Sequence, residues 1–223
     1  MIAKSKIFEV FESFGKRRQL YTLNLSPGKN VYGERLIQEN NAEYREWDVS
    51  KSKLASAILK GSPNAGIRKN DVILYLGSAS GTTVSHVSDM VGSEGLIFAV
   101  DIAPRVMRDL IFLSYNRKNI VPILADSNKI DLLKERICAV DVLYQDVAQK
   151  NQLEIFLKNM GFFLKSGGYA LLAVKARSID VTKNPKQIFR ETKEKLEREL
   201  TIIDYRELDP FQKDHAMFIC KKR

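Results

Sequence analysis

The sequence predicts an α/β fold: a doubly wound, largely parallel sheet with helices on both faces, closed by one antiparallel strand and preceded by a small β-rich segment. Three observations predict it. From residue 71 onward short apolar strand patterns alternate with longer mixed segments, the rhythm of a parallel sheet whose crossovers are helices. The last two strand patterns are separated only by DPFQKD; a parallel return needs about a dozen residues or more, so these two must run antiparallel. Residues 1–50 break the rhythm altogether.

Each element follows from its residues. In 1–50, KIFEVFES, RQLYTLNL and AEYREWD alternate in polarity and are separated by Lys16-Arg17-Arg18 and Ser26-Pro27-Gly28-Lys29, which predicts a small β-rich amino-terminal subdomain. Phe8, Phe11, Phe14 and Tyr21 are expected to form its miniature core. Residues 51–223 make the main domain. It opens on SKLASAILKG, a helix that runs antiparallel to the strand after it, DVILYLG. The strands GLIFAVD (95–101), NIVPILAD (119–126), VDVLYQD (140–146) and GYALLAVKA (168–176) come next, with helices expected at 104–116, 129–136 and 149–165. The amphipathic stretch Pro185–Glu199 then leads into TIIDYREL and the reversed strand HAMFICKK, which makes seven strands. No internal repeat is visible.

Composition narrows the function. The chain has 223 residues, 44% hydrophobic and 28% charged, enough for one domain with a real core. No stretch is long and apolar enough to span a bilayer, and MIAKSKIFEVFESFGKRR has no uninterrupted apolar run of the signal-peptide kind, so a soluble, cytoplasmic protein with no membrane partner is expected. Cys138 and Cys220 are too few and too far apart for a disulfide or metal framework and read as buried or half-buried thiols. With 36 Lys+Arg against 27 Asp+Glu the net charge is +9, which favours polyanions such as RNA.

The motif that carries chemistry is YLGSASGTTVSH, residues 75–86. Gly77-Ser78-Ala79-Ser80-Gly81 lacks the middle glycine of the dinucleotide fingerprint GxGxxG, yet its small side chains, with Thr82 and Thr83, let a ligand approach the backbone. Asp101 ends the next strand, where an acid accepts hydrogen bonds from ribose hydroxyls; that spacing fits a nicotinamide cofactor and S-adenosylmethionine equally. Asp126 ends the third strand, placed to receive an adenine amino group, and Asp146-Val147-Ala148-Gln149 ends the fourth. Singly each acid reads as a turn or helix cap. Ligand-like groups at four successive strand ends form a site, because open α/β sheets bind at the carboxyl ends of their strands. Lys175 closes the apolar run ALLAV, His215 opens the reversed strand, and Lys53 begins the helix before the first strand. All three converge on the same rim. No metal-ligand cluster appears.

YLGSASGTTVSHVSDMVG, VLYQDVAQ, LLAVKARSIDVT and LDPFQKDHA, with VYGERLI and EYREWDVSKSKLASAILKG nearer the start, resemble fibrillarin, the methyltransferase family of box C/D ribonucleoproteins, over essentially the whole chain. QDVAQ and KARSID are the most specific of these segments. With no glycine-arginine-rich tail before residue 1, the likeness is to the archaeal form. Asp101 stands where a glutamate is common, and Ile102-Ala103 where a Phe-Ser pair is usual. The resemblance implies the seven-stranded, Rossmann-like S-adenosylmethionine-dependent methyltransferase sheet with its antiparallel last strand, and transfer of a methyl group to an RNA ribose 2′-hydroxyl in rRNA and tRNA processing. It implies a catalytic tetrad of Lys53, Asp146, Lys175 and His215, with Lys175 the expected general base and Asp146 orienting it. Gly77, Ala79, Gly81, Thr82, Thr83, Asp101, Ile102, Asp126, Ser127, Asp146, Val147, Ala148 and Gln149 would hold the cofactor. Implied partners are a box C/D guide RNA, target rRNA and tRNA, a Nop-domain scaffold protein and a kink-turn-binding ribosomal-type protein. Lys and Arg at 16–18, 177, 183, 186 and 190 are expected to follow phosphates. The competing readings are a non-catalytic ribonucleoprotein scaffold and a methyltransferase of protein or small molecules.

Overall fold

The computed structural model describes residues 1–15 and 17–223. Five short strands, β1 (Ile2–Lys4), β2 (Phe11–Phe14), β3 (Arg18–Leu23), β4 (Leu36–Glu39) and β5 (Ala42–Trp47), form an antiparallel sheet in the order β1-β2-β3-β5-β4. The chain continues through α1 (Lys53–Leu59), β6 (Val72–Leu76), α2 (Thr82–Val91), β7 (Leu96–Asp101), α3 (Pro104–Ser114), β8 (Ile120–Leu124) and β9 (Val140–Gln145). It ends with α4 (Gln152–Phe163), β10 (Leu164–Lys175), α5 (Ala176–Ile179), α6 (Pro185–Glu199), β11 (Leu200–Glu207) and β12 (His215–Lys222). No helix among the described residues is long and apolar enough to cross a membrane.

The main sheet has the order β11-β12-β10-β9-β6-β7-β8, with β12 antiparallel to both neighbours and the remaining contacts parallel. The short connection between β11 and β12 forces that reversal. β6 lies between β7 and β9, so the chain turns outward in opposite directions from β6, and a crevice opens there at the carboxyl ends. Alternation along β6 feeds two cores: Ile73 and Tyr75 join Leu54, Val84 and Met107 on one face, and Leu74 and Leu76 join Phe156, Ile188 and Phe218 on the other.

The amino-terminal sheet shares the first of these cores, through Ile7, Val10, Leu20 and Trp47. A buried ionic cluster fastens it further. Arg45 of β5 contacts Glu34 at 2.6 Å and Asp89 of α2 at 2.7 Å, and Arg117 reaches the other oxygen of Asp89 at 2.5 Å.

The structure departs from the sequence expectation in four places. Residues 129–136 form a single 3-10 turn, Ile130–Leu132, rather than a helix. Only Ile130 and Leu133 of that stretch are buried, and so short a segment gains too few hydrogen bonds to repay helix nucleation. In contrast, α2 is a helix although Thr, Ser and Val dominate it; Thr83–Val91 are all buried, so packing overrides propensity. Phe11 and Tyr21 enter the core, but Phe14 is 74% and Phe8 43% exposed. Phe14 sits three places along β2 from Phe11, on the opposite face. Cys138 is exposed, and only Cys220 is buried.

Candidate active site

The glycine loop leaves β6 in a conformation that only small residues tolerate. Gly77 has φ +81, and a Cβ there would stand 2.3 Å from the carbonyl oxygen of Asp146, so the loop and the end of β9 touch backbone to backbone. Ala79 also has positive φ (48°), and its N–H donates to Asp101 Oδ2 at 2.8 Å. The other Asp101 oxygen accepts from the Ala103 N–H at 2.9 Å. A carboxylate has about four acceptor sites. Asp101 therefore keeps roughly half of them for a ligand.

A cleft of about 270 Å³ lies against this loop, lined by Gly77, Ala79, Asp101, Ile102, Ser127, Asp146, Val147, Ala148 and Gln149. All nine belong to the expected cofactor set. The other expected residues stand behind the wall. Gly81 (φ +97) caps α2, and a Cβ there would meet Leu113 at 2.4 Å; it permits close packing of α2 on α3. Thr82 opens α2. Thr83 is buried and its hydroxyl donates to Ser52 Oγ at 3.1 Å. Asp126 Oδ1 accepts from the N–H and side-chain amide of Asn128 at 2.9 and 3.1 Å, which shapes the turn presenting Ser127.

Beside the cleft stand the four tetrad residues. Ser52 caps α1, its Oγ accepting from the Ala55 N–H, and so sets Lys53 in the first turn. Lys53 Nζ donates to Asp146 Oδ2 at 2.8 Å, both side chains about one-fifth exposed (20% and 22%). The carboxylate thus pairs with Lys53, whereas the sequence reading assigned it to orienting Lys175. Lys175 ends β10 and is directly registered with His215 at the start of β12. The His215 Nδ1–H donates to the Lys213 carbonyl at 2.6 Å, leaving Nε2 as a free acceptor in the neutral ring. Burial holds the imidazole below its ordinary pKa, assisted by the positive charges of Lys53 and Lys175 and opposed by the Lys213 carbonyl and Asp146. These groups act on one ring because they share one rim.

Sequence reasoning missed the residue that fixes Lys175. Fully buried Gln152 accepts from the Lys175 N–H at 3.1 Å and donates to the carbonyls of Gln149 and Lys175 at 3.0 and 3.3 Å. Its own carbonyl accepts from buried Gln145 at 2.6 Å. One clue was visible: Gln145 is an amide at the end of an otherwise apolar strand. Beneath Asp146, the rings of Tyr75 and Tyr144 stack at 4.3 Å. Burial, with the Asp146 charge nearby, pushes both phenols up, so they stay neutral.

The basic residues expected to follow phosphates divide. Lys16 lies outside the described residues. Arg18 pairs with Glu12, Arg177 with Asp214 and Lys183 with Glu191, while Arg17, Lys186 and Arg190 are exposed.

This crevice fits a nucleoside-bearing ligand. Gly77 leaves room at the backbone, Asp101 has spare acceptor sites, and Ser78 Oγ is buried without a hydrogen-bond partner among the described residues. Known proteins agree with that chemistry. The fibrillarin family model matches residues 2–223. A fibrillarin-like rRNA/tRNA 2′-O-methyltransferase of Pyrococcus horikoshii is 46% identical over 216 residues, covering 97% of this chain and 95% of that protein. The structure of Aeropyrum pernix fibrillarin in complex with natively bound S-adenosyl-L-methionine matches with a TM-score of 0.90 and 44% identity, covering 99% of this chain and 97% of the other. A fibrillarin/Nop5p complex matches with a TM-score of 0.88 and 38% identity, covering 99% of this chain and 100% of the other.

Proposed function

Because the chain belongs to the fibrillarin family, we propose that it is an S-adenosylmethionine-dependent 2′-O-methyltransferase of ribosomal and transfer RNA, the catalytic subunit of a box C/D ribonucleoprotein. One observation carries the reading: the Lys53–Asp146 ion pair and the Lys175–His215 strand pair stand beside a cleft walled by the expected cofactor residues.

In this reading the Asp101 carboxylate accepts from the cofactor's ribose hydroxyls. The Gly77–Ala79 backbone and Val147-Ala148-Gln149 enclose the cofactor, and Ser127, on the turn that Asp126 shapes, faces its adenine side. Bound S-adenosylmethionine supplies an electrophilic methyl carbon on a sulfonium. Lys53, held by Asp146, positions the acceptor ribose, and His215 accepts a hydrogen bond at Nε2. The 2′-hydroxyl proton passes to Lys175 Nζ as the oxygen bonds to the methyl carbon, and the electron pair of the broken carbon–sulfur bond stays on sulfur. Positioning does much of the work in such an in-line displacement. Lys175 stands exposed at the rim, open to the acceptor hydroxyl.

The assembly proposed is a guide RNA that selects the target by base pairing, a Nop-domain scaffold protein and a kink-turn-binding protein, acting in the cytoplasm. A relative solved with Nop5p supports the scaffold. The test is reconstitution with those partners and a guide-matched RNA. Ribose methylation at one guide-selected nucleotide is expected, and the proposal fails if Lys175→Ala and Asp146→Ala methylate at the wild-type rate.

A further inference from the structure

A second, larger cleft, of about 690 Å³, lies between the amino-terminal sheet and the loops that carry the tetrad. Its floor is apolar, with Leu20, Trp47 and Leu59, and its edge carries Phe211, which is 36% exposed. Arg17, Arg18, Arg35 and Lys51 surround it. The three carboxylates in its wall are occupied internally. Glu34 pairs with buried Arg45, Glu46 accepts from Gln19 at 3.2 Å, and Asp48 accepts from Ser50 at 2.7 and 2.8 Å. Arg35 keeps only a 3.9 Å contact with Glu46, and Arg17 and Lys51 make no ion pair among the described residues. Arg18 is held by Glu12 at 2.6 Å and the Lys51 ammonium lies 5.0 Å from the centre of the Tyr32 ring, so Arg17, Arg35 and Lys51 keep hydrogen-bonding capacity for an anion. Trp47 Nε1 is a buried donor with no acceptor among the described residues, in a side chain that packs into the core beneath the cleft floor.

The cleft is joined to the catalytic rim through the chain itself. Asp48, Val49 and Lys51 in its wall run directly into α1 and Lys53, and Phe211 lies in the loop that delivers His215. Gln212 Nε2 donates to the Ser50 carbonyl at 2.5 Å and ties the two loops together. An occupant of the cleft presses on both tetrad-bearing loops at once.

Building on the RNA methyltransferase reading, we propose that this cleft is a nucleotide subsite for the acceptor RNA: it holds one residue of the strand beside the methylated ribose. Phe211 offers a face for a base, and Arg35, Lys51 and Arg17 meet phosphates. Uncommitted cations next to an exposed aromatic ring are the surface that single-stranded nucleic acid selects, and the reacting ribose must lie within one loop of it.

Trp47 is the only tryptophan in the chain; it is 2% exposed and underlies the cleft floor, so its emission reports a change in the environment of that floor. The probe is a uridine decamer titrated into the purified full chain at low salt. Saturable quenching of Trp47 is expected, weakening as salt rises. Arg35→Ala/Lys51→Ala and Phe211→Ala, all at exposed positions, are each expected to weaken decamer binding at least fivefold, with S-adenosylmethionine affinity by calorimetry unchanged. Lys193→Ala, on the far helix α6, is the charge control and should bind as wild type. In the reconstituted particle the same cleft variants should slow methylation. The inference is overturned if decamer binding leaves Trp47 emission unchanged, or if cleft variants and control bind alike. It is equally overturned if a purified Nop-domain protein quenches Trp47 and the decamer does not, which would make the cleft a protein interface. Normal methylation by a particle whose cleft variants bind RNA normally sinks this inference alone; a wild-type particle that transfers no methyl group sinks the reading beneath it.

Discussion

The ammonium of Lys53 and the carboxylate of Asp146 meet at 2.8 Å although 93 residues separate them. The pair ties the first turn of α1 to the end of β9, so the helix before the sheet and the centre of the sheet share one catalytic corner. Lys53→Ala and Asp146→Ala should each lower single-turnover ribose methylation about a hundredfold or more, the range of a positioned polar catalytic group. Thermal stability should move little, because a partly exposed ion pair contributes on the order of 1 kcal/mol or less. A large drop in melting temperature with unchanged methylation would show the pair to be structural.

Gly77→Ala probes the contact between the loop and β9. The substitution forces a side chain into φ +81 and sets its Cβ 2.3 Å from the Asp146 carbonyl. Backbone strain of about 1–3 kcal/mol is expected, along with displacement of Asp146. Calorimetry should show loss of S-adenosylmethionine binding in a protein that still folds; wild-type affinity would mean that the backbone contact does not shape the cleft.

Asp101 organises two loops and keeps acceptor sites free. Asp101→Ala should weaken S-adenosylmethionine at least tenfold, consistent with about 1.5–3 kcal/mol for a hydrogen bond to a charged group. Asp101→Glu, which preserves the charge, should recover most of the affinity. Equal binding by wild type and the alanine variant would remove Asp101 from the ligand's path.

Much of this was legible in the sequence. Apolar runs marked the strands of the main sheet, and the brevity of DPFQKD reversed β12. Strand-end polar residues located the cleft, because a parallel sheet brings successive carboxyl ends together whatever their separation in sequence. What stayed hidden depends on partners far along the chain. Nothing local marks Arg45, Asp89 and Arg117 as a cluster; the fold buries them against one another. Gln152 becomes the clamp on Lys175 only when α4 docks against β10. No local pattern shows that Trp47, a core residue, also underlies a cleft.

The buried ionic cluster predicts where stability is concentrated. Asp89 accepts from Arg45, Arg117 and Thr22 and from the Leu25 N–H. Asp89→Ala leaves buried Arg117 without its carboxylate and Arg45 with Glu34 alone, and removing one member of such a pair typically costs about 3–5 kcal/mol. A chemical denaturation midpoint close to wild type would show that water compensates them.

The two histidines set the response to acid. Burial, with the charges of Arg45 and Arg117, holds His86 well below the ordinary imidazole value, and His215 is lowered mainly by burial as well. In the neutral ring His86 Nδ1–H donates to Thr22, whose hydroxyl donates on to Asp89, and Nε2 lies 2.7 Å from the Tyr32 hydroxyl; protonation puts a third positive charge beside two buried guanidinium groups. Between the folded pKa values and the unfolded value of about 6.5, the unfolded chain binds more protons than the folded one. Stability therefore rises with pH through that window and is lost as pH falls below about 6.5, by at most about 1.4 kcal/mol per pH unit for each ring. Melting temperatures should fall between pH 7.5 and 5.5, less steeply in His215→Asn, and the slope that remains belongs to His86. Because His86 stacks on Trp47 at 4.8 Å, Trp47 emission should change with the same acid transition. A melting temperature flat across that interval would mean that neither ring is held neutral by the fold.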